Sequence, residues 1–187
     1  MTTKSHWHGI FELALFMYEG AHRVAQSRSA GLASFAVPVI IMLLDFIPLL
    51  IEPAGRLGPS SFTELVALYT PILVPALAVQ TALIYAVLGY AGKKDRFWPT
   101  LGAVNCLSFA PFVLSYGIYM LVMFEAHTWK ELHPLLLTIE FYGVAISAYA
   151  VTRIGLIPWE LAGATALFNF LMANHITEFV FSLHGID

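Results

Sequence analysis

Five times along this chain an apolar run lasts long enough to cross a lipid bilayer. A helix needs about 20 mostly apolar residues to do so, and residues 31–51, 69–91, 100–124, 134–152 and 161–181 each meet that length. In hydrocarbon every backbone N–H and C=O must find its partner inside the structure, so runs of this length are helices. The predicted fold class is all-α: a polytopic membrane protein built as a bundle of five transmembrane helices. Composition agrees, at 59% hydrophobic and 11% charged against roughly 45–50% and 25% in soluble domains. With 187 residues, five spans leave no room for a soluble catalytic domain.

The connections are rich in turn formers or charge: "EPAGRLGPSSFTE", "GKKDRFWP", "EAHTWKELH" and the short "RIGLIPWE". The last is short enough to predict a tight hairpin between spans four and five. Pro38, Pro48, Pro71, Pro75 and Pro111 fall inside spans, so kinks are expected where neighbours satisfy the freed carbonyls. Lys4, Arg23, Arg28, Lys93, Lys94, Arg96 and Arg153 fall on one side, and only Arg56 and Lys130 on the other. The positive-inside rule then predicts a cytoplasmic N-terminus and, after five spans, an outside C-terminus. The expected location is the bacterial inner (plasma) membrane.

Residues 1–30 are read as a cytoplasmic N-terminus, 31–182 as the span domain and 183–187 as a short tail. The N-terminus does not resemble a signal peptide, since Glu12 and Glu19 interrupt it and basic residues follow; it is expected to be retained. Ile10, Leu13, Ala14, Met17, Tyr18, Ala21, Val24 and Ala25 recur at helical spacing, with Glu12, Glu19, Arg23 and Gln26 opposite. That pattern predicts an amphipathic interfacial helix.

Charge excludes one partner class. Nine Lys and Arg against twelve Asp and Glu leave no basic face for nucleic acid. The lone Cys106 excludes an internal disulfide and a multi-cysteine metal site. No P-loop, dinucleotide fingerprint, HExxH, GxSxG or CxxC occurs. Trp98, Trp129 and Trp159 stand where an aromatic belt would place them. The small residues of "GVAIS" and Ala162 with Ala166 suit close helix packing.

Asp45 stands inside the first run, "FAVPVIIMLLDFIPLLI", where a carboxylate costs about 2.5–3.5 kcal/mol to insert. At about 1.5 Å rise per residue, Asp45, Glu140, His175 and Glu178 all fall within roughly 10 Å of the outer ends of their spans. In "ANHITEF", His175 and Glu178 share a helix face at i and i+3. Asn174, Tyr142 and Tyr116 lie at comparable depth. Three readings follow: a hydrogen-bonded layer that holds helices in register, a proton or divalent-cation site, or separate residues that never meet. No cofactor other than a divalent metal is suggested. A haem or chlorophyll ligand at His133 or His175 would rest on a lone histidine.

The stretches "LALYTPILVPALAVQTALIYAVLGYAGKKD", "NCLSFAPFVLSYGIYMLVMF" and "TRIGLIPWE" resemble the Yip1-domain family of small five-span membrane proteins over roughly residues 31–182. The resemblance implies a helical bundle with a cytoplasmic N-terminus. Eukaryotic members are linked to trafficking and Rab GTPases, but the short N-terminus here lacks their longer cytoplasmic region, so GTPase binding does not carry over. Three functions compete. The first is an accessory or scaffold protein with lipid, other membrane subunits or its own copies as partners. The second is a proton or cation transporter using Asp45, Glu140, His175 and Glu178, and the third a metal-dependent hydrolase using the same residues.

Overall fold

The computed structural model describes residues 3–24, 26–51, 61–124 and 126–184. The connection holding Arg56 and the tail beyond His184 lie outside the described residues. The fold is all-α, and five helical stretches are long and apolar enough to cross a membrane. In chain order the helices are α1 (Thr3–Ala14), α2 (Gly20–Arg23), α3 (Arg28–Ala33), α4 (Ala36–Ile51), α5 (Phe62–Tyr90), α6 (Phe97–Leu107), α7 (Phe109–Met123), α8 (Trp129–Gly155) and α9 (Trp159–Leu183). The first span is α3 with α4 and the third is α6 with α7; α5, α8 and α9 are continuous.

The helices α5 and α8 begin well before the apolar runs they contain, because cap chemistry sets their start and the hydrocarbon edge does not. Ser61 Oγ accepts the Glu64 N–H at 3.3 Å. Thr128 and Glu131 form a reciprocal capping box, with Thr128 N–H donating to Glu131 Oε2 at 3.0 Å. The 29 residues of α5 therefore run about 43 Å, longer than a hydrocarbon layer of about 30 Å. Such a helix tilts or projects into the headgroups.

Spans one and three break at matching sequences, "SFAVP" from Ser34 and "SFAP" from Ser108. In each, the serine hydroxyl turns back to the carbonyl three residues earlier: Ser34 to Gly31 at 2.7 Å and Ser108 to Asn105 at 2.6 Å. Pro38 and Pro111 then fall in the first turn of the next helix, where a missing N–H forfeits no intrahelical bond.

The axis of the bundle is α6. Every residue from Pro99 to Leu107 is buried, and α1, α3, α4, α5 and α8 all pack against it. Glycine permits α3 to approach it closely, with a Cβ on Gly31 falling 2.9 Å from the Trp98 carbonyl oxygen. Gly31→Val is accordingly expected to destabilise the protein by about 2 kcal/mol through overpacking, measured by unfolding in mixed micelles. The predicted tight hairpin between α8 and α9 is present, the two packing side by side. Its left-handed residue is Leu156, with φ 55°, while Gly155 serves a close contact: a Cβ there would meet Leu88 Cδ2 at 2.9 Å.

The amphipathic N-terminal segment is helical but broken at Phe16, whose φ is 58°. Ile10, Leu13, Ala14, Ala21 and Val24 are buried as the periodicity predicts, packed toward α6 and α8. Met17 and Tyr18 are exposed, and Glu12 reverses the expectation of a polar outer face, being 6% exposed. The reason is that α2 folds back along α1, so that Arg23 pairs with Glu12 and His8 Nε2 approaches the same oxygen at 3.2 Å. The Tyr142 hydroxyl donates to the Ala14 carbonyl at 2.8 Å, satisfying the end of α1.

Candidate polar cleft and its amide floor

A chain of side-chain hydrogen bonds links four spans. Asn105, on the buried axis and 1% exposed, accepts through Oδ1 from Gln80 Nε2 at 2.6 Å and donates through Nδ2 to Ser34 Oγ at 2.9 Å. Gln80 Oε1 in turn accepts from Asn169 Nδ2 at 3.3 Å. With Ser34 donating to Gly31, the chain runs from α9 through α5 and α6 to the break in span one. In hydrocarbon an unpaired amide is costly, so each group holds the next in place.

This chain forms the floor of a cleft of about 270 Å³ between α4, α5 and the α6–α7 break. Along α5 the cleft extends from Tyr69 to Gln80, about 16 Å at helical rise. Its walls are apolar, including Ile41, Met42, Ile72 and Leu73, and its floor carries Gln80, Asn105 and Ser108. Asp45 lines the same cleft, one helical face along α4 from Pro38. It is half-buried and has no hydrogen-bond partner among the described residues. Tyr69 stands within electrostatic range of Asp45, and Tyr119 within range of both Asp45 and Glu140.

The four ionisable residues singled out from depth alone are thus distributed unequally. Asp45 and Glu140 both stand within electrostatic range of Tyr119, although Glu140 is itself exposed. His175 and Glu178 are exposed on α9, which packs chiefly on α5 and α8. Among the described residues no three His, Cys, Asp or Glu side chains are grouped so as to hold a metal ion. Depth fixes the height of a side chain, but each residue also turns through about 100°, so equal heights do not make neighbours. The expected hydrogen-bonding helpers also go elsewhere: Tyr142 bonds α1, Tyr116 stacks beside Phe112 at 5.5 Å, and Asn174 is exposed.

Sequence reasoning from ionisable groups misses Gln80, Asn105 and Asn169. The available signal was the cost of any amide in a span, and helical rise puts all three roughly 15 Å from the basic ends of their spans. Outside the spans, partial burial lowers the pKa of the His6 imidazole, and its Nε2 lies 4.0 Å from Cys106 Sγ.

A cleft with a carboxylate along one wall, two phenols near it and amides at its floor offers acceptors and donors in a path otherwise lined by hydrocarbon. Such a path can hold a proton, a small cation or ordered water. No protein-family profile, curated protein or solved structure matches this chain.

Proposed function

We propose that this multi-pass membrane protein binds and passes a proton or small cation through the cleft, with Asp45 as the acceptor. The observation that supports this most directly is the position of Asp45, without a hydrogen-bond partner among the described residues, in a cleft that ends on amides. An acid kept in a span despite its insertion cost, facing a cavity and not a counter-ion, is the usual mark of an ion pathway. Glu140, within electrostatic range of the same Tyr119, serves as the relay toward the surface, and the basic end is cytoplasmic by the charge count.

The test uses vesicles containing the purified protein and a trapped pH-sensitive dye. The wild-type chain should dissipate an imposed pH or cation gradient, and Asp45→Asn should reduce the flux to that of empty vesicles. Flux unchanged by Asp45→Asn and by Glu140→Gln would remove the proposal.

A second reading, an accessory protein of the Yip1 kind, is supported by the five-span order and by α1 and α2 packed along α6 and α8. It predicts a stable companion, or a second copy, on purification in nanodiscs. A lone monomer would count against it.

A further inference from the structure

A second groove, of about 640 Å³, lies on the flank of α5. Its bed is made by small residues, Ala78, Thr81 and Ala82, between Val74 at one end and Tyr85 with Phe97 at the other. From Val74 to Tyr85 it measures about 16 Å at helical rise, half of a hydrocarbon layer of about 30 Å. That is the depth of one leaflet, and so of one acyl chain.

The end toward the basic side is built differently. Tyr85 meets Phe97 edge-on at 5.4 Å, and Phe97 meets Trp98 at 4.9 Å. Two cations sit above these rings: Lys94 Nζ is 5.6 Å from the Tyr85 centroid, and Arg28 Cζ is 5.4 Å from that of Trp98. Both side chains are exposed, and neither is in an ion pair among the described residues. The neighbouring Asp95 carboxylate is taken by Arg96, Nε to Oδ2 at 3.4 Å. Gly89 lets the Lys94 stem lie close, since a Cβ there would stand 3.1 Å from Lys94 Cε.

We propose that this groove is a binding site for an anionic phospholipid, its phosphate between Lys94 and Arg28 and one acyl chain along α5 from Tyr85 to Val74. Charge complementarity selects the head: a neutral acyl chain gains nothing from two cations held over aromatic rings. Length selects the tail, because a soluble anion has no use for a leaflet-deep apolar channel. Leu77 lines both this groove and the Asp45 cleft, yet the lipid site uses none of the polar groups of the cleft and stands or falls separately.

The experiment incubates the purified full-length protein, in non-ionic detergent, with equimolar phosphatidylglycerol and phosphatidylcholine of identical chains. Retained lipid is then weighed by native mass spectrometry. Each cation near an anionic headgroup contributes a factor of about five, so the wild-type protein should retain phosphatidylglycerol about twenty-five-fold over phosphatidylcholine. Arg28→Gln with Lys94→Gln, both at exposed positions, should bring the ratio close to one. Ala78→Phe with Ala82→Phe should abolish retention of both lipids while the helical circular dichroism persists. Glycerol phosphate, lacking chains, should not displace phosphatidylglycerol. The proposal is overturned if the wild-type protein shows no preference, if the preference survives loss of both cations, or if glycerol phosphate competes.

Discussion

Asn105→Leu is expected to lower the unfolding free energy by about 3 kcal/mol, combining two lost hydrogen bonds with a half-buried Gln80 N–H left without its partner. Leucine keeps the branched outline of the side chain, but its methyl groups are bulkier than the amide atoms at this 1% exposed position, so overpacking adds to the lost hydrogen bonds. Asn169→Leu, which ends the chain without interrupting it, should cost about 0.6 kcal/mol, in the range of an ordinary interhelical bond in a membrane. Gln80→Leu together with Asn105→Leu should cost clearly less than the sum of the two single changes, because the orphaned partner disappears with the second. Unfolding in mixed micelles with increasing denaturing detergent measures all four proteins. Equal effects at Asn105 and Asn169 would mean that the amides act as independent surface contacts.

The second large effect concerns the N-terminal unit. Arg23→Ala leaves the Glu12 carboxylate, 8% exposed, with His8 alone, while Arg23 itself is 41% exposed. Breaking a buried pair from one side costs about 3–5 kcal/mol, and the exposure of Arg23 places this case near the lower end of that range. The loss is local: α1 and α2 should separate from α6 and α8, and amide exchange across residues 3–24 should rise while the spans keep their protection. Replacing both partners by leucine should recover most of the docking, because no charge is then left buried. Glu12 Oε2 is already buried without a partner, so this carboxylate has little further support to lose. Unchanged exchange in Arg23→Ala would show that the apolar face of Ile10, Leu13 and Ala14 holds the unit by itself.

Much of the architecture was legible in the sequence because hydrocarbon imposes a length on every span. The five runs, the basic ends and the α8–α9 hairpin follow from that constraint and from charge. The N-terminal apolar face, Ile10 through Val24, is equally readable from periodicity. Glu12 was not, because periodicity in a single helix takes no account of α2 returning across it with Arg23. The kinks expected at Pro38 and Pro111 appear as internal breaks of spans one and three, but the serine hydroxyls that turn back at Ser34 and Ser108 were not anticipated. The candidate site divides in the same way. Asp45 announces itself by its insertion cost, whereas Gln80, Asn105 and Asn169 barely disturb hydropathy and acquire meaning only when four helices bring them together. His175 and Glu178 show the converse: depth along a helix is readable from sequence, and direction around the bundle is set by packing.

The proposed ion path requires Asp45 to face a water-accessible cleft while its helix neighbours face lipid. Single cysteines at Asp45 and at Leu43, two positions away and 41% exposed on the outside of the bundle, test it in a Cys106→Ala background. With a membrane-impermeant, water-soluble thiol reagent applied to reconstituted vesicles, Asp45→Cys should react and Leu43→Cys should remain unmodified. Equal reaction at the two positions, or reaction at Leu43 alone, would contradict the cleft and the proton path built upon it.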